Sequence, residues 1–330
     1  MEIASTEWVP VTDESSVGEA RRKALLVAQR LGLGEVQCGE LALLATESSR
    51  NVLLHGGGGH LAISALQNEG QGFARILAMD QGRGIANVAE AMTDGFSTAG
   101  TMGEGMGAMK RIASALEVFT GKHGTIVLLQ VGDEARPDPL RIAGLAVPYP
   151  GERLCGDAWA FHRTEERMGV LIADGLGHGR EAAEAAQEAV ATFRKRQELA
   201  PREILGYLHD SLKKTRGAVA AVAEIRPKEG FLIYAGVGNI SASVQTGAQS
   251  RSLVSHNGTL GMVTSRIQEF QTPWTRESIL VLHSDGVQAK WDLSSYAGLA
   301  ARHPAIIGAA LLRDFRRQRD DASVVVVKAA

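Results

Sequence analysis

Cysteine is nearly absent from this 330-residue chain, which holds only Cys38 and Cys155. Two isolated thiols supply neither a disulfide framework nor a zinc site, so a reduced, cytoplasmic protein is expected. A field of one charge is also missing. Lys+Arg number 35 and Asp+Glu 37, a formal net charge of −2. That balance argues against nucleic acid and against an anionic membrane as partners. No apolar run approaches the ~18 residues that a membrane span requires. Met1 to Asp13 lacks the basic-then-apolar order of a signal peptide. Internal repeats and charge blocks are absent too. What is present is ordinary for a folded protein: 45% apolar and 22% charged residues, which excludes wholesale disorder. At about 150 residues per domain the length predicts two domains.

Glycine is the exception to this plain composition. It supplies 38 of 330 residues, well above the usual ~7%, and it clusters beside acidic residues. The polar, proline-bearing stretch from Gly132 to Leu140 reads as a linker. It divides the chain into residues 1–133 and 138–330. In the first part, helices are expected over Val17–Leu31, Cys38–Leu54 and Met106–Leu116. Strands are expected over His60–Leu66 and Phe73–Met79. A closing hairpin pairs Glu117–Thr120 with Thr125–Val131. The second part is richer in strands: Leu140–Val147, Ala158–His162, Met168–Ala173, Ala218–Ile225, Phe231–Ala235, Ile240–Gln245, Ile267–Thr272, Ile279–His283 and Ser323–Lys328. Helical stretches fall at Arg180–Arg196, Pro201–Lys214 and Pro304–Arg317. The fold class is therefore α/β (α+β), with an alternating α/β layer first and an αββα layering after it.

Three patterns in the first part carry chemistry. Glu47 and Asn51 are four positions apart on one helix and share a face. As an isolated pair they fit a solvated helix surface better than a base and a magnesium ligand. Asp80-Gln-Gly82-Arg-Gly84-Ile85 follows an apolar strand, where a carboxylate can meet a ligand amine and the glycines let backbone approach a flat ring. Gly103-Glu-Gly105-Met-Gly107 opens a helix and offers N–H groups to an anion. It has neither the preceding strand nor the later acid of a Rossmann site, and no P-loop occurs anywhere. In this order, and with Gly124-Thr125 before the last strand, the motifs resemble the GHKL ATPase superfamily. The branch they most resemble is the small serine kinases of bacterial partner switching, the anti-sigma-factor and RsbT-like kinases. Asp80–Ile85, Gly95–Thr98 and Gly103–Gly107 favour that branch over histidine kinases, and no phosphoacceptor-histidine helix pair precedes the motifs. The resemblance covers roughly residues 15–131. It implies Glu47 as general base, Asn51 as Mg²⁺ ligand, and Asp80 on the adenine amino group. Gly82 and Gly84 would line the base, and Gly103, Gly105 and Gly107 would border the triphosphate. Thr125 would support the adenine, and ATP with Mg²⁺ is the expected cofactor.

In the second part, apolar strand-like runs meet acids at Asp157, at Asp174-Gly175-Leu-Gly-His178-Gly, at Asp285-Gly286 and at Asp320-Asp321. Single Asp-Gly pairs are usually turns. Several carboxylates at strand ends, too dispersed for an EF-hand, suit hard divalent cations instead. Their order, with Ala235-Gly-Val-Gly238-Asn239-Ile240 between them, resembles the metal-dependent PPM serine/threonine phosphatases in the SpoIIE-like branch. The compact form is similar to RsbX-like stressosome phosphatases. The resemblance spans about 140–328. It implies that Asp174 bridges two Mn²⁺ or Mg²⁺ ions and that Gly175 adds its carbonyl. Asp157 would hold one ion, and Asp285 and Asp320 the other, with Asp320 preferred to Asp321. Ser323 stands where Thr is common. Gly238 and Asn239 would shape the loop near the site, and no arginine is assigned to the phosphate.

Together the resemblances imply a bifunctional partner-switching regulator. It would be an ATP-dependent serine kinase and a phosphoserine phosphatase acting on a STAS-domain protein, with a sigma factor or stressosome-like complex downstream. A second reading makes the first half an ATP-dependent sequestration module, leaving the phosphatase as the only catalytic half. A third, purely structural reading leaves the Asp-Gly pairs as turns and forecasts no Mn²⁺-dependent phosphatase activity.

Overall fold

A computed structural model describes residues 2–68, 71–92, 105–132, 139–264 and 266–330. It divides into two compact units, Met1–Arg136 and Pro137–Ala330. The Gly132–Leu140 linker and the Gly95–Thr98 and Gly103 motif positions fall largely or wholly outside the described residues.

The N-terminal unit is a five-stranded antiparallel sheet with helices on one face. Its elements are β1 (Glu2–Val11), α1 (Glu14–Arg30), α2 (Glu35–Gly56), β2 (Gly59–Asn68), β3 (Gln71–Asp80), α3 (Val88–Ala91), α4 (Gly105–Ile112), β4 (Ala115–Gly121) and β5 (Gly124–Val131). The strand order is β1-β2-β3-β5-β4. Asp13 caps α1, accepting hydrogen bonds from the Ser15 and Ser16 amides. The stripe Leu41, Leu44, Ser48 and Val52 of α2 is buried, as its helical spacing predicts. It packs with Val27 of α1 against Leu61, Ile63, Ile76 and Leu129 of the sheet. The pattern of the first residues predicts no strand, yet β1 forms the sheet edge. Pro10, which lacks an N–H, is tolerated there because an edge strand pairs on one side only. The helix expected over Met106–Leu116 stops at Ile112, and Ala115 and Leu116 begin β4.

The C-terminal unit stacks two five-stranded sheets. Its elements are β6 (Leu140–Val147), β7 (Asp157–Arg163), β8 (Met168–Gly175), α5 (Arg180–Lys195), α6 (Pro201–Ser211), β9 (Ala218–Arg226), β10 (Phe231–Val237), β11 (Ser241–Thr246), β12 (Gln249–Leu253), β13 (Gly258–Thr259), β14 (Val263–Thr264), β15 (Glu269–Pro273), β16 (Ser278–His283), α7 (Pro304–Phe315) and β17 (Ala322–Ala329). One sheet has the order β15-β10-β9-β8-β7 and the other β12-β11-β16-β17-β6. Helices α5 and α6 cover the first sheet and α7 the second, giving the αββα layering. Central strands such as β8 and β17 are covered on both faces, which is why they read as continuous apolar runs rather than alternating ones. The alanine-rich face of α5 (Ala182, Ala185, Ala186, Ala189) is buried, with Phe193 at its end.

Gly144 of β6 lies under the Trp159 indole of β7, and a methyl group at Gly144 would overlap that ring. Gly144→Ala is therefore expected to destabilise this unit by about 1–3 kcal/mol through overpacking. Urea unfolding followed by tryptophan fluorescence checks this; an unchanged midpoint would contradict the packing. No helix among the described residues is long and apolar enough to cross a membrane.

Candidate functional site

In the N-terminal unit, three backbone segments converge on Asp80 at the end of β3. Its Oδ1 accepts the Gly82 amide at 2.9 Å and the Thr125 amide at 3.1 Å. Two amide donors on one oxygen fix the orientation of the carboxylate. A Cβ at Gly82 would lie 2.7 Å from the His55 carbonyl at the end of α2. One at Gly56 or Gly124 would overlap Asp80 itself. Gly84 has φ +77°, a conformation that L side chains rarely adopt, and lies against the Gly121 carbonyl. The glycines the sequence singled out thus allow backbone to close around one carboxylate. Thr120 was not anticipated. Its Oγ1 accepts the Ile85 amide at 2.8 Å and lies 3.1 Å from Thr125 Oγ1, tying the Asp80–Ile85 loop to the β4–β5 hairpin. Thr120 faces Thr125 across that hairpin, so a hairpin register drawn from the sequence would have found it.

Glu47 and Asn51 project from α2 on the same face. Arg50 Nη1 lies 3.2 Å from Glu47 Oε1. Asn51 faces Gly105, the first residue of α4, where a Cβ would sit 3.6 Å from Asn51 Oδ1. Gly107 is buried in the first turns of α4. These groups fit a nucleotide: a carboxylate braced by backbone amides, close-packed glycines, and an amide side chain beside the start of a helix.

In the C-terminal unit the acids gather at one end of the two sheets. Asp157 opens β7, Asp174 sits near the end of β8, and the two are cross-strand partners. Asp285 follows β16, and Asp320 and Asp321 precede the adjacent β17. Like charges directly opposite on neighbouring strands are unfavourable unless something neutralises them. Burial, and then the charges of Asp157, Asp285, Asp320 and Asp321, push the Asp174 carboxyl up to about 9. Burial raises Asp157 to about 7 against the lowering effect of Ser284, with Asp321 and Asp320 adding to the rise. Burial and the charge of Asp285 raise Asp320.

The surrounding hydrogen bonds hold these carboxylates in place. Ser284 Oγ donates to Asp157 Oδ2 at 2.6 Å and itself accepts the Ser323 amide at 2.9 Å. Asn239 Nδ2 donates to Asp285 Oδ2 at 2.7 Å. The Tyr149 amide donates to Asp321 Oδ1 at 2.8 Å. Trp291 Nε1 donates to His283 Nε2 at 3.1 Å, so the His283 proton sits on Nδ1 and is donated to the Ser284 carbonyl. The Tyr149 ring stacks on His178 at 4.3 Å, and Glu152 holds His178 Nδ1 at 3.1 Å.

Two carboxylate oxygens, Asp157 Oδ1 and Asp321 Oδ2, are buried without a partner. Asp157 Oδ1, unpartnered among mutually repelling carboxylates, fits a divalent cation, whereas Asp321 Oδ2 lies against Gly156. Among the described residues no three His, Cys, Asp or Glu side chains are gathered tightly enough to hold an ion by themselves. A cation there would also draw on carbonyls and water, the usual habit of Mg²⁺. The structure separates the two neighbouring acids. Asp321 is buried and engaged by Tyr149, whereas Asp320 is half-buried and faces Asp285. Ser284 and Tyr149 were not identified from the sequence, because each reaches its aspartate from a segment far away in the chain.

These features define a GHKL-type ATPase unit followed by a metal-dependent PPM phosphatase unit. Residues 164–330 match the family model of Stage II sporulation protein E (SpoIIE), and residues 9–131 match that of the histidine kinase-like ATPase domain. The chain is 35% identical over 104 residues to serine/threonine-protein kinase RsbT of Bacillus subtilis (strain 168), covering 32% of this chain and 78% of RsbT. A structure described under the bacterial stressosome, "a modular system that has been adapted to control secondary messenger signaling", superposes with TM-score 0.54 at 27% identity, over 58% of this chain and all of that one. RsbX in complex with magnesium shares the fold with TM-score 0.53 at 17% identity, over 66% of this chain and all of RsbX. The chain belongs to the SpoIIE phosphatase family and carries an RsbT-type kinase domain at its N-terminal end.

Proposed function

We propose that the chain is a two-way switch, phosphorylating a serine of a STAS-domain protein with one unit and removing that phosphate with the other. The setting is cytoplasmic, in keeping with two unpaired cysteines. The observation that carries the reading is that both sites are furnished on one chain. Glu47, Asn51 and a braced Asp80 stand in the first unit, and a gathered set of repelling carboxylates stands in the second.

In the first unit, Asp80 holds the adenine amino group. Gly82, Gly84 and Thr125 shape the base pocket, and Gly105 and Gly107 border the triphosphate. Asn51 is the Mg²⁺ ligand. Glu47 accepts the proton of the acceptor serine as its oxygen bonds to the γ-phosphorus and ADP leaves. In the second unit, Asp157, Asp174, the Gly175 carbonyl, Asp285 and Asp320 hold two Mn²⁺ or Mg²⁺ ions. When bound, such ions acidify water and clamp phosphate oxygens for in-line attack. Asn239 and Ser284 keep Asp285 and Asp157 oriented.

The test is intact-mass measurement of STAS proteins encoded beside this chain, incubated with it, ATP and Mn²⁺. A phosphoserine should appear with ATP and disappear once ATP is exhausted. The Arg50–Glu47 contact favours one competing reading, in which the first unit captures a sigma factor or STAS protein and the phosphatase alone turns over. Tight ATP-dependent capture without any mass gain would establish that reading instead.

The two adjacent acids give a sharper check. Asp320→Asn should weaken Mn²⁺ activation of phosphatase activity by about tenfold or more. Asp321→Ala should leave Mn²⁺ activation within a few-fold but cost about 1–3 kcal/mol of stability by orphaning the Tyr149 amide. Manganese titrations and thermal melts of the two variants decide the assignment; reversed results would exchange the roles.

A further inference from the structure

Beyond what bound cations supply, a phosphomonoester entering a site crowded with carboxylates gains from positive charge on the rim. Arg216 is placed there by a defined turn. Thr215 Oγ1 donates to the Leu212 carbonyl at 2.8 Å and accepts the Gly217 amide at 3.0 Å. Gly217, with φ +81°, then reverses the chain, and its carbonyl accepts the Leu176 amide at 3.1 Å. The strand that follows is paired with the strand that ends in Asp174 and Gly175. Arg216 therefore stands beside the Asp174–Gly179 loop. Its Nη1 lies 3.0 Å from where a Cβ of Gly177 would be, so the missing side chain at Gly177 leaves the guanidinium its place. Glu181, in the first turn of α5, pairs with Arg216 Nε. That contact orients the planar group while leaving the Nη hydrogens for another acceptor. The side chain is half-exposed, so an incoming ligand can reach it.

We infer that Arg216, oriented by Glu181, receives the phosphoryl oxygens of the phosphoserine substrate at the phosphatase site. The inference rests on the phosphatase reading above and adds the residue that recognises the substrate's charge. Arg216 binds without taking part in bond making, and Glu181 is a positioning residue. Leu176 and Met262, both exposed, lie beside the same turn, offering apolar surface to the residues around a phosphoserine.

The test uses the full chain with Mn²⁺, para-nitrophenyl phosphate as substrate and inorganic phosphate as competing product. Arg216→Ala should raise KM and the phosphate inhibition constant together by about tenfold to a hundredfold, while kcat and the Mn²⁺ concentration for half-activation change by less than about threefold. Arg216→Lys should recover part of the loss, because an ammonium restores the charge but not the planar fork. Glu181→Gln should shift KM in the same direction by a smaller factor and leave the melting temperature near that of the parent. An unchanged KM and inhibition constant in Arg216→Ala overturns the inference. So does a rise confined to Arg317→Ala, since the charge of Arg317 acts on Asp320. Absence of any Mn²⁺-dependent hydrolysis by the parent chain would instead refute the phosphatase reading itself, which separates the two failures.

Discussion

Asp174→Asn is expected to lower Mn²⁺-dependent phosphatase turnover by about a thousandfold or more, equivalent to roughly 4 kcal/mol of transition-state stabilisation. Asp174 is the carboxylate on which the charges of Asp157, Asp285, Asp320 and Asp321 all act, and under the proposed function it would be the ligand that the two ions share. The same substitution has an opposite effect on the chelated protein. Without cations, burial and the neighbouring charges push the Asp174 carboxyl up to about 9, so at neutral pH the folded protein holds it protonated whereas the unfolded chain ionises it. An amide carries no such cost, so the metal-free variant should be more stable than the parent at neutral pH by about 1–4 kcal/mol. Adding Mn²⁺ should stabilise the parent and leave the variant unmoved. Paired melts with chelator and with Mn²⁺, alongside a turnover assay, check both halves. A variant less stable than the parent in chelator would show that Asp174 is held by something other than mutual repulsion.

Glu47→Ala is expected to slow phosphoryl transfer to a STAS-domain serine by about 10²–10⁴-fold, the range general-base catalysis contributes. ATP affinity should stay within a few-fold, because Asp80 and the glycines around it are untouched. Phosphatase turnover should not change. Stability should change little, since the Arg50 side chain paired with Glu47 is more than half exposed and such pairs contribute weakly. Radiolabelled transfer from ATP, with titration calorimetry for nucleotide, separates these effects. Transfer at the parent rate would remove Glu47 from the chemistry.

Most of the fold was legible because its strands are bounded by turn residues and covered on both faces. β8 and β17 are unbroken apolar runs for that reason. β12 was missed because its sequence, Gln249 to Leu253, is polar and lies exposed at a sheet edge, paired only with β11. The two-residue strands β13 and β14 carry no periodicity at all. β1 was missed because only Val9 and Val11 are fully buried in its later half, with Pro10 between them. In the sites, each acid was legible as the end or start of an apolar run. Residues that act on those acids were not. Tyr149 reaches Asp321 across 172 positions and Ser284 reaches Asp157 across 127. The Ser284 contact follows from the stacking of two sheets and the Tyr149 contact from the pairing of β6 with β17, neither of which a local pattern encodes. Arg216 was hidden for a related reason, because its meaning comes from the strand pairing that sets it beside Gly177.

The most direct measurement is phosphate release from para-nitrophenyl phosphate across a manganese titration, made on the parent chain, Asp174→Asn and Glu47→Ala side by side. The account predicts saturable manganese dependence in the parent, the same curve in Glu47→Ala, and a flat baseline in Asp174→Asn. Equal activity in all three, or activity that ignores manganese, would contradict it.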